Sequence, residues 1–231
     1  MKQPDPSEIT AALLRAAEGL TAIFGGLLLW LALWAGVLNI PTLERIGIPV
    51  SALPALLWLF GAWRLHRTPP LTPAWKSRAA LLLLVAALQV YLLPYLGWWH
   101  KTPSELYRAI NVALLMTASG AGFLALHLLA LEIARYLDDP VLRIETFLSA
   151  ISAALIVLLA LGFLYWNLRR FGAEIGWKDY LLFYYQSSRA ARASLVLLVL
   201  MPLLPPIALV WEVRQRILLW VPERAFPKNP A

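Results

Sequence analysis

Long apolar runs separated by short polar segments recur along the whole chain. Six of these runs approach the length of about 20 residues that an α-helix needs to cross the hydrocarbon layer of a bilayer. They lie at about 19–38, 48–66, 77–99, 108–134, 146–168 and 193–211. The pattern predicts an all-α fold, a polytopic transmembrane helical bundle of about six spans that forms a single integral membrane domain over residues 1–231.

The first two runs carry features that bear on this interpretation. The N-terminus lacks the basic start, short apolar core and small-residue cleavage site of a secretory signal, so we expect the first span to be retained. The second run is short and has Pro54 in its first turns, which predicts a helix that extends back toward Ile46 or lies steeply relative to its neighbours.

Composition favours a membrane protein over a soluble one. Hydrophobic residues make up 61% of the chain and charged residues 14%, too few to cover a soluble domain of this length with polar surface. The net charge is +7, but the basic residues lie scattered at the ends of apolar runs, so we expect the lipid bilayer as a partner and not nucleic acid. The chain has no Cys, which excludes disulfides, thiolate metal sites and cysteine nucleophiles.

The distribution of Lys and Arg predicts an orientation. With six spans, twelve of the 20 basic residues fall on the side that holds both termini, and short cytoplasmic loops carry the basic excess. We therefore expect a multi-pass protein of a bacterial inner membrane with cytoplasmic N- and C-termini. Much of the minority lies in the connection 169–192.

Four short polar motifs have the form of a helix start, in which an oxygen-bearing cap residue precedes a proline. The cap oxygen accepts a hydrogen bond from a free backbone N–H, and Glu at the third helical position can reach back to the N–H of the cap. Two motifs are complete and two keep only the cap and the proline: Asp5-Pro6-Ser7-Glu8, Thr102-Pro103-Ser104-Glu105, Thr72-Pro73 and Asp139-Pro140.

The two complete motifs leave a second interpretation open. A shift of 97 residues aligns the first span with the fourth and brings the second close to the fifth, as two halves of three spans in an inverted repeat would do. Most identities along that shift are Ala, Leu or Gly, so four independent helix starts are sufficient to explain the motifs.

Aromatic residues concentrate in the connection 169–192 and at span ends. The connection mixes charged residues with aromatic ones that have one polar edge, which predicts an amphipathic interfacial helix before the last span. Its candidate docking residues are Trp177, Tyr180, Tyr184 and Tyr185. Tryptophans at span ends, including Trp63, Trp75 and Trp211, are interpreted as interface anchors. Residues 221–231 are expected to form a short tail.

Small residues recur at helical spacing in two spans. In the fourth span the set comprises Ala113, Thr117, Ala118, Ala121, Gly122 and Ala125, and in the first span Ala22 with Gly26. Small side chains at this spacing let another helix backbone approach closely. We expect both helices to make close helix contacts, either inside the protein or with a partner.

His127 and Asn111 of the fourth span are candidates for a buried polar site, because polar groups at membrane depth usually face protein or water. The three histidines are expected at three different depths, which argues against a haem or metal cofactor. A nucleophilic serine needs a base, usually a histidine, and no later helix supplies one because no histidine follows His127. We therefore interpret Ser119 as a small residue that bonds its own helix.

The acidic residues near the spans each have a basic neighbour in sequence. Glu18 follows Arg15 by three residues, Glu132 precedes Arg135 by three, and Glu212 lies near Arg214 and Arg216. Local pairing argues against a lone proton-carrying acid in the bilayer. The chain also lacks clustered acids, histidines or phosphate-binding glycines, so we expect no enzyme activity.

The sixth span contains Met201-Pro202-Leu203-Leu204-Pro205-Pro206, which should kink or break a helix. Pro202, Pro205 and Pro206 thus mark a candidate broken-helix site, and a static kink is the alternative. The leading hypothesis is a non-catalytic membrane subunit or scaffold that packs against other membrane protein subunits. The alternative is a small permease or channel-like transporter whose broken sixth helix lines a path.

Overall fold

The computed structural model describes residues 6–34, 52–101, 106–170 and 201–225, which form helices joined by short turns at 68–74 and 137–139, with no β-strand among them. The helices are α1 (Pro6–Trp34), α2 (Ala52–Arg67), α3 (Trp75–Lys101), α4 (Leu106–Tyr136), α5 (Pro140–Arg170) and α6 (Leu204–Ala225), with a single 3₁₀ turn (Met201–Leu203) before α6. The predicted interfacial segment, with Trp177, Tyr180, Tyr184 and Tyr185, lies outside the described residues.

In the described part of the chain, four helices are long and apolar enough to cross a membrane. Their spanning segments are Ser7–Leu33, Trp75–Tyr95, Ile110–Tyr136 and Pro140–Leu159. They correspond to the first, third, fourth and fifth predicted spans. The chain is therefore an all-helical membrane protein.

Among the described residues, the second and sixth predicted spans are not long and apolar enough to cross a membrane. Helix α2 has 16 residues, about 24 Å at the α-helical rise, against a hydrocarbon layer of about 30 Å. Helix α6 carries Glu212, Arg214 and Arg216 in its middle. It also continues to Ala225, into the segment where a short tail was expected.

The helices form a ring in chain order. Helix α1 packs against α2 and α6, α2 against α3, α3 against α4, and α4 against α5 and α6. Of the spanning segments, that of α4 is 56% buried and that of α5 only 22% buried, so α4 is central and α5 lies mostly outside. The core consists of aliphatic and small side chains such as Leu20, Leu82, Leu126 and Val213.

Helices α1 and α2 approach closely at three glycines. A Cβ atom added to Gly61 would lie 2.5 Å from the carbonyl oxygen of Gly19 and 2.6 Å from Cγ1 of Ile23. A Cβ atom added to Gly26 would lie 2.9 Å from the carbonyl oxygen of Pro54. Since lipid offers little hydrophobic drive for helix association, van der Waals contact at such positions holds the pair together.

Two of the predicted helix starts fit the described helices. Helix α1 begins at Pro6, the first helical position expected for its motif. Helix α5 begins at Pro140, and the Oδ1 of Asp139 accepts a hydrogen bond from the backbone N–H of Leu142 at 2.9 Å, which confirms the cap. Residues 102–105 lie outside the described part of the chain.

The cap at Thr72 was predicted wrongly. Helix α3 begins at Trp75, and the hydroxyl of Thr72 donates to the carboxylate of Glu132. The hydroxyl thus donates to a charged acceptor, and the contact with the start of α3 is made by the Thr72 carbonyl oxygen, which accepts from the N–H of Trp75 at 3.1 Å. Trp75 is also fully buried in the core rather than anchored at a lipid interface.

The proline cluster lies where α6 begins. Pro202 is in the 3₁₀ turn, and Pro205 and Pro206 are in the first turn of α6, whose N–H groups have no intrahelical acceptor in any case. The described residues therefore show a helix start at this cluster, and the predicted upstream part of the sixth span lies outside them.

Gly61→Ala is expected to lower the melting temperature of the protein in detergent, because the new methyl group would meet the Gly19 backbone. Overpacking of this kind costs about 1–3 kcal/mol. Gly25→Ala is the matched control, since a Cβ atom there has nothing within 4 Å. Thermal unfolding followed by circular dichroism checks this, and equal melting temperatures for the two variants would contradict it.

Candidate functional site

One end of the bundle carries a set of charged side chains that join different helices. At this end, called the polar end below, α1, α3 and α5 begin and α2, α4 and α6 finish. Its central group is Glu132, which lies in the last turns of α4 and is 2% exposed. A carboxylate buried this deeply remains charged only with close partners.

Three donors surround the Glu132 carboxylate. Its Oε1 forms an ion pair with Nη1 of Arg78 at 2.5 Å and accepts a hydrogen bond from Nη1 of Arg135 at 2.7 Å. Its Oε2 accepts from the hydroxyl of Thr72 at 2.5 Å. The predicted pair with Arg135 is thus confirmed, and two partners from outside α4 are added.

Arg78 extends this contact along α4. Its Nη1 also donates to the carbonyl oxygen of Leu128 at 2.8 Å. One guanidinium therefore holds both a carboxylate and a backbone carbonyl of α4 against the start of α3. We call Thr72, Arg78, Glu132 and Arg135 the Glu132 cluster.

Further polar contacts continue around the same end. Glu18 of α1 forms an ion pair with Arg64 of α2, and not the local pair with Arg15 that its sequence spacing predicts. The Nε of Arg214 on α6 donates to the hydroxyl of Thr21 on α1 at 2.8 Å. These contacts join α1 to both of its neighbours in the ring.

Arg216 connects α6 to the start of α5. It lies 3.5 Å from the Asp139 carboxylate, and its Nε donates to Oε1 of Glu212 at 2.8 Å. The hydrogen bond to Glu212 and the nearby Asp139 charge raise the pKa of the Arg216 guanidinium, while partial burial opposes them. Arg216 therefore stays charged throughout the physiological pH range.

His127 forms a second buried polar contact, between α4 and α5. Its Nδ1 lies 2.7 Å from the carbonyl oxygen of Phe123, and its Nε2 lies 3.0 Å from the hydroxyl of Ser149. A carbonyl oxygen can only accept, so Nδ1 donates to Phe123 and Nε2 accepts from the Ser149 hydroxyl. Both ring nitrogens are thus satisfied inside the protein.

This serine–histidine pair has part of the geometry of an activated nucleophile. A catalytic pair also needs a carboxylate or carbonyl that orients the base and donors that stabilise an oxyanion. Phe123 supplies the orienting carbonyl. The two contacts of His127 are one hydrogen bond within α4 and one between α4 and α5. Separately, no group of three or more His, Cys, Asp or Glu side chains that could hold a metal ion is found among the described residues.

The small residues predicted to pack differ in how far the bundle buries them. Ala118, Gly122 and Ala125 are buried, and a Cβ atom on Gly122 would lie 3.1 Å from Nε2 of Gln89 on α3. Thr117 and Ala121 are exposed. Three further members complete the set: Ala113 and Ala22 are half-buried, and Gly26 faces α2.

The two polar candidates of α4 do not meet. The Nδ2 of Asn111 donates to the carbonyl oxygen of Tyr107 at 2.8 Å, within its own helix. Asn111 and His127 are 16 positions apart on α4, about 24 Å of helix rise. Ser119 likewise bonds its own helix, with its hydroxyl 2.9 Å from the carbonyl oxygen of Leu115, as predicted.

Sequence reasoning missed Thr72, Arg78 and Ser149. Each is a partner of a residue that the sequence did single out, but it lies 22 or more positions away along the chain. Helical spacing finds partners three or four residues apart. The position of Arg78 in the first turn of a spanning helix is the one available signal, and it is shared by many interfacial arginines.

Comparison with protein-family models, with curated proteins and with solved structures gave no match for this chain. The class that the fold defines is that of an all-helical membrane protein with a charged, internally paired end.

Glu132→Gln is expected to lower the free energy of unfolding by about 3 kcal/mol, because it removes the charge that Arg78 and Arg135 share at a buried position. Asp138→Asn makes the same carboxylate-to-amide change at a side chain that is 94% exposed. Asp138 has a positive φ of 52°, which Asn tolerates. Denaturant titration of both variants checks this, and an equal loss in both would show that the Glu132 cluster contributes no more than a surface pair.

Ser149→Ala is expected to destabilise the protein by about 1–2 kcal/mol, since it leaves the buried Nε2 of His127 without its donor. Ser152→Ala, three residues later on α5 at an exposed position, is the control. The same denaturant titration separates them. If Ser149→Ala were as stable as the control, the contact with His127 would not contribute to the free energy of unfolding.

Proposed function

We propose that this protein is a non-catalytic membrane subunit that packs against another membrane protein in a larger assembly. The observation that carries the proposal is an outward-facing row on α4. Exposed positions of α4 spaced by three, four or seven residues form one helical face about 27 Å long, and we call it the α4 stripe. Its members are Ile110, Leu114, Thr117, Ala121 and Leu128.

The α4 stripe has small side chains at its middle and large ones at its ends. Leu114 is 51% exposed and Leu128 43% exposed, whereas Thr117 and Ala121 between them extend only a short way from the helix. The Thr117 hydroxyl bonds to the carbonyl oxygen of Ala113 at 2.9 Å, so it needs no partner in lipid. A helix with a shallow middle of this kind accepts a second helix at close range.

The charged and polar groups support a non-catalytic role. Glu132, His127 and Arg214 each have partners inside the bundle. Groups that act on a substrate need to reach it in a cleft, whereas these join neighbouring helices. The charges of the polar end are accordingly assigned to assembly of the fold, and the α4 stripe to contact with the partner.

Ala121→Trp is expected to release the partner from complexes extracted in mild detergent, because the indole would fill the shallow middle of the stripe. Ala87→Trp, at an exposed alanine of the spanning helix α3, is the matched control. Gly122 is unsuitable for this test, since it faces Gln89 and Val85 inside the bundle. The measurement is the intact mass of the particle in native mass spectrometry.

Wild-type particles and the Ala87→Trp variant should both be heavier than small multiples of the 25.8 kDa chain and contain other chains. The Ala121→Trp particle should lose them. Retention of all chains by Ala121→Trp would reject the α4 stripe as the contact. A wild-type particle that contains this chain alone would reject the subunit function and favour the transport alternative, which a liposome flux assay would then address.

A further inference from the structure

An apolar groove of about 450 Å³ opens on the outer side of α2 and α3. Leu56, Leu59, Phe60 and Trp63 of α2 line it, together with Leu83 of α3. The α2 residues follow one another at helical spacing, so the groove runs along the helix.

The groove lies at membrane depth. Leu83 belongs to the spanning segment Trp75–Tyr95. Helix α2 packs through Gly61 against Gly19, within the spanning segment Ser7–Leu33 of α1. Leu56 is 50% exposed and Phe60 is 49% exposed, so the groove is open toward the surrounding hydrocarbon.

Two cations lie at one end of this groove. The guanidinium carbon of Arg67, the last residue of α2, is 5.1 Å from the centre of the Trp63 ring. The Nζ of Lys76 donates to the carbonyl oxygens of His66 at 3.0 Å and of Thr68 at 3.2 Å, which places its ammonium at the same end of α2. The nearby Arg64 is different, since it pairs with Glu18.

Neither cation is neutralised by an acidic side chain in the described part of the chain. The ion pairs found there involve Arg64, Arg78, Arg135, Arg143 and Arg216. Carbonyl oxygens at the end of α2 and an aromatic face hold Lys76 and Arg67 in place and offset part of their charge, while no carboxylate among the described residues pairs with them. The groove is thus apolar along its length and has a positively charged end.

We propose that this groove binds an anionic phospholipid of the surrounding bilayer, with an acyl chain along Leu56, Phe60 and Trp63 and the phosphate headgroup at Arg67 and Lys76. The apolar groove matches the acyl chain, and the two cations match the phosphate. Basic residues at the ends of membrane helices attract anionic headgroups, by roughly a factor of five in affinity for each cation. Trp63 separates the two parts, and its ring contacts the guanidinium on one side and the groove on the other.

The full-length protein in detergent is titrated with dioleoyl phosphatidylglycerol and, separately, with dioleoyl phosphatidylcholine, and bound lipid is counted by native mass spectrometry. The acyl chains of the two lipids are the same, so any difference reports the headgroup. One phosphatidylglycerol is expected to bind about 25-fold more tightly than phosphatidylcholine, the effect of two cations. Glycerol 3-phosphate, which has the phosphate but no acyl chain, is expected not to be retained.

The headgroup end is tested with Arg67→Gln. This variant should bind phosphatidylglycerol about fivefold more weakly and phosphatidylcholine unchanged. Arg143→Gln is the control, because Arg143 is an exposed arginine near the start of α5, away from the groove. Equal effects of the two variants would overturn the assignment of Arg67.

The acyl end is tested with Leu56→Trp, which fills the groove from an exposed position. It should weaken both lipids by about tenfold, the loss expected when roughly two methylene groups leave the groove. Leu84→Trp, on α3 at a site that is 68% exposed and does not line the groove, is the control. Equal affinity of wild type for the two lipids, retention of glycerol 3-phosphate, or a dimer that only Leu56→Trp abolishes would each overturn the proposal.

Discussion

The burial of the Glu132 carboxylate is the constraint on which the arrangement of the bundle depends. A charge with this little exposure must be matched by donors that arrive from elsewhere in the chain. Arg78 brings the start of α3, and Thr72 brings the connection between α2 and α3. Lys76, two residues before Arg78, then holds the last carbonyls of α2. One carboxylate thereby sets the relative positions of α2, α3 and α4 at the polar end.

Helix association also depends on shape, including next to the Glu18–Arg64 ion pair. Gly61 and Gly19 remove the side chains that would keep α1 and α2 apart. On α4 and α5, Gly120 gives space to Val157, where an added Cβ atom would lie 2.6 Å from Cγ1 of that valine. In lipid, such close contact replaces the hydrophobic drive that folds soluble proteins. The protein therefore uses both ion pairs and close glycine contacts to join its helices.

Small residues and cations have different roles inside the bundle and on its outer surface. Small residues that face another helix inside the bundle, such as Gly122, complete the fold. Thr117 and Ala121 are also small but face outward, and these are the positions that we assign to a partner. Arg64, Arg78 and Arg216 meet carboxylates of other segments, whereas Arg67 and Lys76 meet only carbonyls and an aromatic ring, and these two we assign to a lipid headgroup.

Much of the fold could be predicted from local properties of the chain, and much of the candidate site could not. The start of α1 at Pro6 and the cap at Asp139 follow from a few neighbouring residues. The pairing of Glu132 with Arg135 follows from helical spacing. The contact of Glu18 with Arg64, the hydroxyl of Thr72 on Glu132 and the burial of Trp75 went against local expectation, because a partner distant in sequence offered a stronger interaction or a better-packed site.

By itself, the sequence determined that this is an all-helical membrane protein, because the length and composition of an apolar run decide whether a helix suits the bilayer, independently of its neighbours. It also determined where several helices begin. Only the tertiary structure decided which face of each helix is buried, that Ser149 is the partner of His127, and that α2 and α3 leave a groove with two cations at its end. These properties depend on which helices become neighbours, and that choice is made by ion pairs and backbone contacts between residues far apart in the chain.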